Sequence, residues 1–212
     1  MPFQPSIKLG VAVHNRFQIK ELNVFQLVGL FPNRWLDAGI KFSTFGFSDY
    51  RYSLFSTTLA KKINHRFSIG SGLYVGHETG DDYVKAMVHL KADIGVYFRA
   101  SEWINLALLL RNVATNNRLD QFLFNLGIEW HPITSFGLVM EAISNWGDFY
   151  AMSFGLEYEI MDQLFVRAGV RTNPNMPAMG VSYSFEKITV DVSYFSHSIL
   201  GNSTSIGISF HF

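Results

Sequence analysis

Cysteine is absent from the 212-residue chain, which removes disulfides, thiol catalysis and cysteine metal sites. Net charge is absent too. Seventeen Lys and Arg balance 17 Asp and Glu, and no basic run offers nucleic acid an electrostatic footprint. No stretch approaches the roughly 18 consecutive apolar residues of a membrane helix. The most apolar window, Ile104 to Leu110, reads I-N-L-A-L-L-L and is far too short to span as a helix. Linkers, internal repeats and low-complexity tracts are missing, so a single domain over residues 1–212 is expected. The histidines show no H-x-x-x-H spacing, and no glycine-rich loop follows a strand to open a helix. Neither a metal nor a cofactor is expected.

What the chain has in quantity is apolar and aromatic residues: 48% of it is hydrophobic and 20 residues are Phe, against only 16% charged. Mean hydropathy is +0.13, yet this apolar content is dispersed in alternation with polar residues. Period-two alternation is the signature of strands with one face buried or in lipid. The last nine residues, T-S-I-G-I-S-F-H-F, place Ile206, Ile208, Phe210 and Phe212 on one face. Chain ends usually fray into water, so an apolar strand ending on Phe resembles the C-terminal membrane-insertion signal of outer-membrane barrels.

About fourteen such segments can be read, most of about nine to eleven residues, the length a tilted strand needs to cross a bilayer. Short turns such as Pro32–Arg34 and Glu186-Lys187 follow the even segments. Longer polar stretches follow the odd ones, including Asn15–Leu22, Thr79–Lys85, Thr172–Pro177 and His197–Ser203. Aromatics gather near segment ends, at Phe45 and Phe47, Phe98 and Trp103, Trp130 and Phe136, and Trp146 and Phe149. Short turns on one side, long loops on the other and aromatic girdles are the pattern of a bacterial outer-membrane barrel. A soluble sandwich or ligand-binding barrel would carry a polar face denser in Lys and Glu than these Gly- and Ser-rich faces. The expected fold is therefore all-β: a closed antiparallel transmembrane β-barrel with its apolar side chains toward lipid.

On that reading the polar face lines a lumen, and its charged residues are the candidate functional set. They are Lys8, Lys41, Lys91, Asp93, Arg111, Glu129, Glu141, Glu157, Glu159, Arg167, Arg171, Asp191 and His211. Charges of both signs in a confined space must find partners, so an internal ion-pair network is expected first and a permeation path second. Arg167 and Arg171 are expected to pair with the inward carboxylates Glu157 and Glu159 of the preceding strand, and the short Met161-Asp162 turn should bring Glu157 near Arg167. The adjacent His197-Ser198 invites comparison with outer-membrane lipid hydrolases. Neighbouring residues would point to opposite faces of a strand, so a loop anchor is the expectation there and no catalytic group is assigned.

The segments V-R-A-G-V-R-T-N-P (Val166–Pro174), N-R-F-x-x-K-E-L (Asn15–Leu22), F-G-F-S-D-Y-R (Phe45–Arg51) and H-S-I-L-G (His197–Gly201) resemble the PorV/PorQ-type proteins of Bacteroidetes. Those proteins are related at fold level to long-chain fatty-acid transporter barrels. The resemblance implies a fourteen-stranded outer-membrane barrel that serves transport or assists protein secretion without being an enzyme. Its implied partners are outer-membrane lipid and secretion-system or cargo proteins met through the long loops. It also implies a signal peptide and a lumen-plugging segment with an asparagine-proline-alanine-glycine motif. Neither is visible here, since Met1 falls just before the first expected strand, and we expect both to lie upstream. The alternative function is a passive uptake channel for small or hydrophobic solutes.

Overall fold

A computed structural model describes residues 6–47, 50–80, 86–145 and 149–212. Fourteen strands follow one another: β1 (Lys8–Asn15), β2 (Val24–Phe31), β3 (Asp37–Gly46), β4 (Tyr50–Lys62), β5 (Phe67–Gly80), β6 (Met87–Arg99) and β7 (Ile104–Thr115), then β8 (Leu123–Ile133), β9 (Phe136–Asn145), β10 (Phe149–Met161), β11 (Leu164–Arg171), β12 (Met176–Phe185), β13 (Ile188–His197) and β14 (Gly201–His211). Each pairs antiparallel with its neighbours in sequence, and β1 pairs with β14 to close the ring. The seam runs from Lys8 opposite His211 to Asn15 opposite Thr204. Beyond it the Phe212 backbone N–H donates to the Ile7 carbonyl at 2.9 Å. The only helix among the described residues is a 3-10 turn at Lys20–Leu22.

The side-chain period fixes which way each strand faces. In the seam, Leu9, Val11 and Val13 lie opposite Phe210, Ile208 and Ile206, and all of these are exposed on the outer surface. Lys8, Gly10, Ala12 and His14 lie opposite His211, Ser209, Gly207 and Ser205 and face the lumen. Carried around the ring by the pairings, the same rule leaves Arg51 and Lys61, near the two ends of β4, as the outward charges among the described strand residues. A long basic side chain near a strand end can reach the interface, whereas one at mid-height could not. Outward aromatics at the short-turn end include Phe98, Trp130, Phe136 and Tyr158, with Trp103 just before β7; the Phe136 and Tyr158 rings meet at 6.5 Å.

Two sequence expectations are corrected in detail. Phe45 does not belong to an interfacial girdle; it faces the lumen, opposite Val24 on β2 and Tyr52 on β4. Several long segments read as loops are partly strand. Thr79 and Gly80 end β5, Met176 and Pro177 open β12, and His197 ends β13 while Gly201–Ser203 begin β14. The ladder continues past the bilayer because backbone pairing costs nothing extra in water. The Trp146 and Phe149 side chains and the 81–85 part of the Thr79–Lys85 stretch lie outside the description. At the top of β3 the chain turns with Gly46 at φ +131°, where a Cβ would sit 2.1 Å from the Tyr50 carbonyl oxygen, so only glycine fits.

The lipid-facing assignment has a direct test. Ile128 on β8 points outward at mid-strand, and Ile128→Lys should destabilise the barrel in lipid vesicles by about 2–4 kcal/mol in a denaturant titration. Lumen-facing Ser209→Lys should cost much less.

Candidate functional site

The lumen is the site, and three tiers of polar side chains line it. At the outer mouth, beneath the long loops, His89 Nε2 on β6 donates to Glu78 Oε2 on β5 at 3.1 Å. Two residues on, Lys91 Nζ donates to Asp120 Oδ1 at 2.8 Å, and the other oxygen of Asp120 accepts from the Thr115 hydroxyl at 2.7 Å. Asp120 belongs to the loop between β7 and β8, so this pair ties that loop to the inner wall. The Asn116 side chain supports the same contact: its Nδ2 donates to the Val88 carbonyl and its Oδ1 accepts from the Leu90 N–H. Partial burial would raise the Asp120 pKa, but the hydrogen bonds from Lys91 and Thr115 outweigh it and hold the carboxyl below its ordinary range.

At mid-height lie Asp93 and Asn125, both almost completely buried. Asp93 accepts the Asn112 backbone N–H at 2.9 Å. Asn112 has φ +55° beside a register shift between β6 and β7, and that irregularity is what turns its N–H toward the carboxylate. Asn125 donates to Glu141 at 2.7 Å across β8 and β9.

The inner half holds the largest network. Arg167 lies directly opposite Glu157, and its Nε donates to Glu157 Oε2 at 2.5 Å. Its Nη1 reaches past Gly180 on β12 to Ser182 Oγ at 3.0 Å and Asp191 Oδ1 at 3.2 Å, while Ser182 also bonds Asp191. Nearby, Glu129 is held by His131 and Asn105, each at 2.9 Å. His211, on the last strand, meets the Thr189 hydroxyl at 3.2 Å.

Every residue of the candidate set therefore faces inward, but not every expected partnership forms. Glu159 lies opposite Phe165 and its carboxylate accepts the Gln163 N–H of the turn at 3.3 Å; Arg171 lies opposite Ser153 and Met176. The register that sets Glu157 opposite Arg167 places Glu159 near the turn and Arg171 at the far end of the pair, so these two cannot meet. Arg171 and Lys41 make no ion pair among the described residues; Lys41 sits between Val28 and Ser56. The role of Asp191 as second carboxylate to Arg167 was not foreseen. Ser182 on β12 lies opposite Asp191 on β13, and the long Arg167 side chain reaches both. His197 acts as a loop anchor: its Nδ1 accepts the backbone N–H groups of Ile199 and Leu200, both at 3.1 Å, and Phe17 packs edge-on against its ring.

Between these side chains the lumen is open. A cavity of about 480 Å³ lies against Glu129, Glu157, Arg167 and Asp191. A second of about 330 Å³ shares Asp191 and continues along Gly207, Gly10 and Val28 to Lys8 and Leu30. A third of about 390 Å³ takes up Lys8 and Leu30 and ends at Asp37 and Lys62. The wall between the charged groups consists of small or apolar residues, among them Gly169, Ala178, Gly180, Ala12 and Val28.

No family of known proteins matches the chain, and no curated protein matches it in sequence. Solved structures do match. The CymD monoaromatic hydrocarbon channel superposes with a TM-score of 0.73 at 12% identity, covering 99% of this chain and 89% of that one. The toluene transporter TodX of P. putida gives 0.71 at 11% identity over 100% and 91%. The KdgM porin gives 0.54 at 12% identity over 97% and 99%. At such identities the likeness shows the fold, that of a bacterial outer-membrane barrel, and the outer membrane is where a closed ring with an apolar outside belongs.

Two predictions follow from the geometry. Glu157→Gln and Arg167→Gln, at a pair roughly half exposed, should each destabilise by about 0.5–1 kcal/mol in urea unfolding. The double variant should cost less than their sum; simple additivity would show that the pair is not formed. Because Asp191 still faces Arg167, removing Glu157 alone should be milder than for an isolated pair. The lowered pKa of Asp120 makes the β7–β8 loop tether acid-sensitive. Its stabilisation is complete above the ordinary carboxylate pKa and is lost as pH falls through the lower folded value. Hydrogen exchange of residues 116–122 should accelerate on that descent, and Asp120→Asn should give fast exchange at every pH.

Proposed function

We propose that this barrel is a passive channel for small, uncharged or apolar solutes. The observation that carries this reading is the series of three adjoining lumen cavities, walled largely by small and aliphatic residues. Several lumen charges are engaged by opposite ones, Lys91 by Asp120 and Arg167 by Glu157 and Asp191. Inward Val24, Val28, Leu30 and Leu54 give an apolar solute a surface to slide along. The fold it shares with a monoaromatic hydrocarbon channel and a toluene transporter supports the same reading.

The resemblance to PorV/PorQ-type proteins offers a second reading, an accessory of protein secretion. One observation favours it: Leu119 and Ile199 stand 87% and 85% exposed on the outer loops, where a protein partner could cover them. Reconstitution separates the two. A channel should make liposomes permeable to arabinose in a swelling assay and give steady conductance in planar bilayers. A silent, impermeable barrel that co-purifies with secreted cargo would overturn the channel reading and support the accessory.

A further inference from the structure

Resting on that channel reading, the geometry points to a binding subsite for planar, uncharged aromatic compounds on the inner wall of the outer mouth, formed by the rings of Phe45, Tyr52 and His89. Pairing register puts Phe45 on β3 and Tyr52 on β4 directly opposite one another, both facing the lumen. Their centroids are 5.7 Å apart with planes at 43°, and Tyr50 stands 6.2 Å from Phe45. His89, two strands further round on β6, lies 6.4 Å from Tyr52, again at 43°.

The intervening strand makes this stripe continuous. β5 presents Gly76 opposite both Leu54 and His89, and a Cβ there would come within 2.5 Å of the Tyr52 hydroxyl. Tyr52 therefore lies down across β5, over a position with no side chain, and closes the gap between β4 and β6. Its hydroxyl end rests where a side chain at Gly76 would stand. The stripe is held in place from its sides. Glu78 fixes His89 through the hydrogen bond at 3.1 Å, and the Arg16 guanidinium sits 5.7 Å over the Phe45 ring.

This packing could brace the mouth and nothing more, but bracing would be met by aliphatic side chains. Rings at about 6 Å steps present successive faces and edges, the arrangement that favours offset or edge-on contact with a further ring. The same quadrupole complementarity is missing for a saturated ring of equal size. The site is also poorly suited to ions: Glu78 is engaged by His89, and Lys91 beside it by Asp120. What it should discriminate is aromaticity in a neutral solute.

The test compares phenylacetamide with its saturated counterpart, cyclohexylacetamide, on the full barrel. Saturation-transfer NMR in detergent micelles reads binding, and proteoliposome influx reads passage. The wild type should bind phenylacetamide about 2- to 10-fold more tightly than cyclohexylacetamide. Tyr52→Leu and Phe45→Leu should each reduce that preference, and together abolish it. Gly76→Ala keeps every ring but lifts Tyr52 off the wall, so it too should reduce the preference. Heat-modifiable migration in detergent gels shows that each variant is folded; any variant without it is set aside and Gly76→Ala decides. Equal binding of the two amides by the wild type, or a preference that survives loss of both rings, would overturn the subsite. If arabinose does not pass the wild type, the channel reading fails; the NMR comparison still decides the subsite alone.

Discussion

Hydrocarbon offers no partner to a backbone N–H or C=O, and each unpaired group there costs several kcal/mol. Everything else in this molecule depends on that. An open sheet of thirteen pairings would present two bare edges to lipid, so β1 must meet β14, and the chain must supply an even number of antiparallel strands for the ring to close. Once closure is imposed, the period of two decides the rest. Every second residue meets lipid and must be apolar, and the alternate residues are released from that demand. The lumen's small, polar and charged residues are the freedom left over after lipid has been satisfied.

That division explains why so much of the architecture is legible in the sequence. The apolar set at Leu9, Val11 and Val13, or at Phe122 to Trp130, is under a constraint that a single substitution would break. Strand number and facing follow from it directly. The ends of strands are less legible, because above the bilayer nothing requires alternation. Gly201–Ser203 and Met176–Pro177 continue the ladder in water with no apolar signature. Phe45 misled for a related reason. Near an interface an aromatic residue is at home either in the girdle or inside the mouth, and only the register across β3 and β4 tells the two apart.

Partnerships among the lumen charges are legible only where the connection is short. Glu157 and Arg167 flank a tight turn, so their meeting follows from counting outward on both strands. The contact of Arg167 with Asp191 skips a strand and depends on side-chain length. The bond from the Asn112 N–H to Asp93 depends on a register shift between β6 and β7 that no residue pattern announces. In a barrel, strands set the order of neighbours reliably, and irregularities one residue long decide who touches whom.

The seam has a consequence for assembly. Every other pairing joins strands that are consecutive in the chain and can zip from a turn, whereas β1 and β14 are brought together across almost the whole length of the polypeptide. Closing so long a loop is the slow and entropically expensive event, and until it occurs two strand edges remain open. A growing sheet in that state can recruit any exposed strand it meets, so its fidelity rests on having both edges sheltered during the interval. The ring that makes the finished barrel indifferent to its surroundings thus leaves its precursor unusually dependent on them.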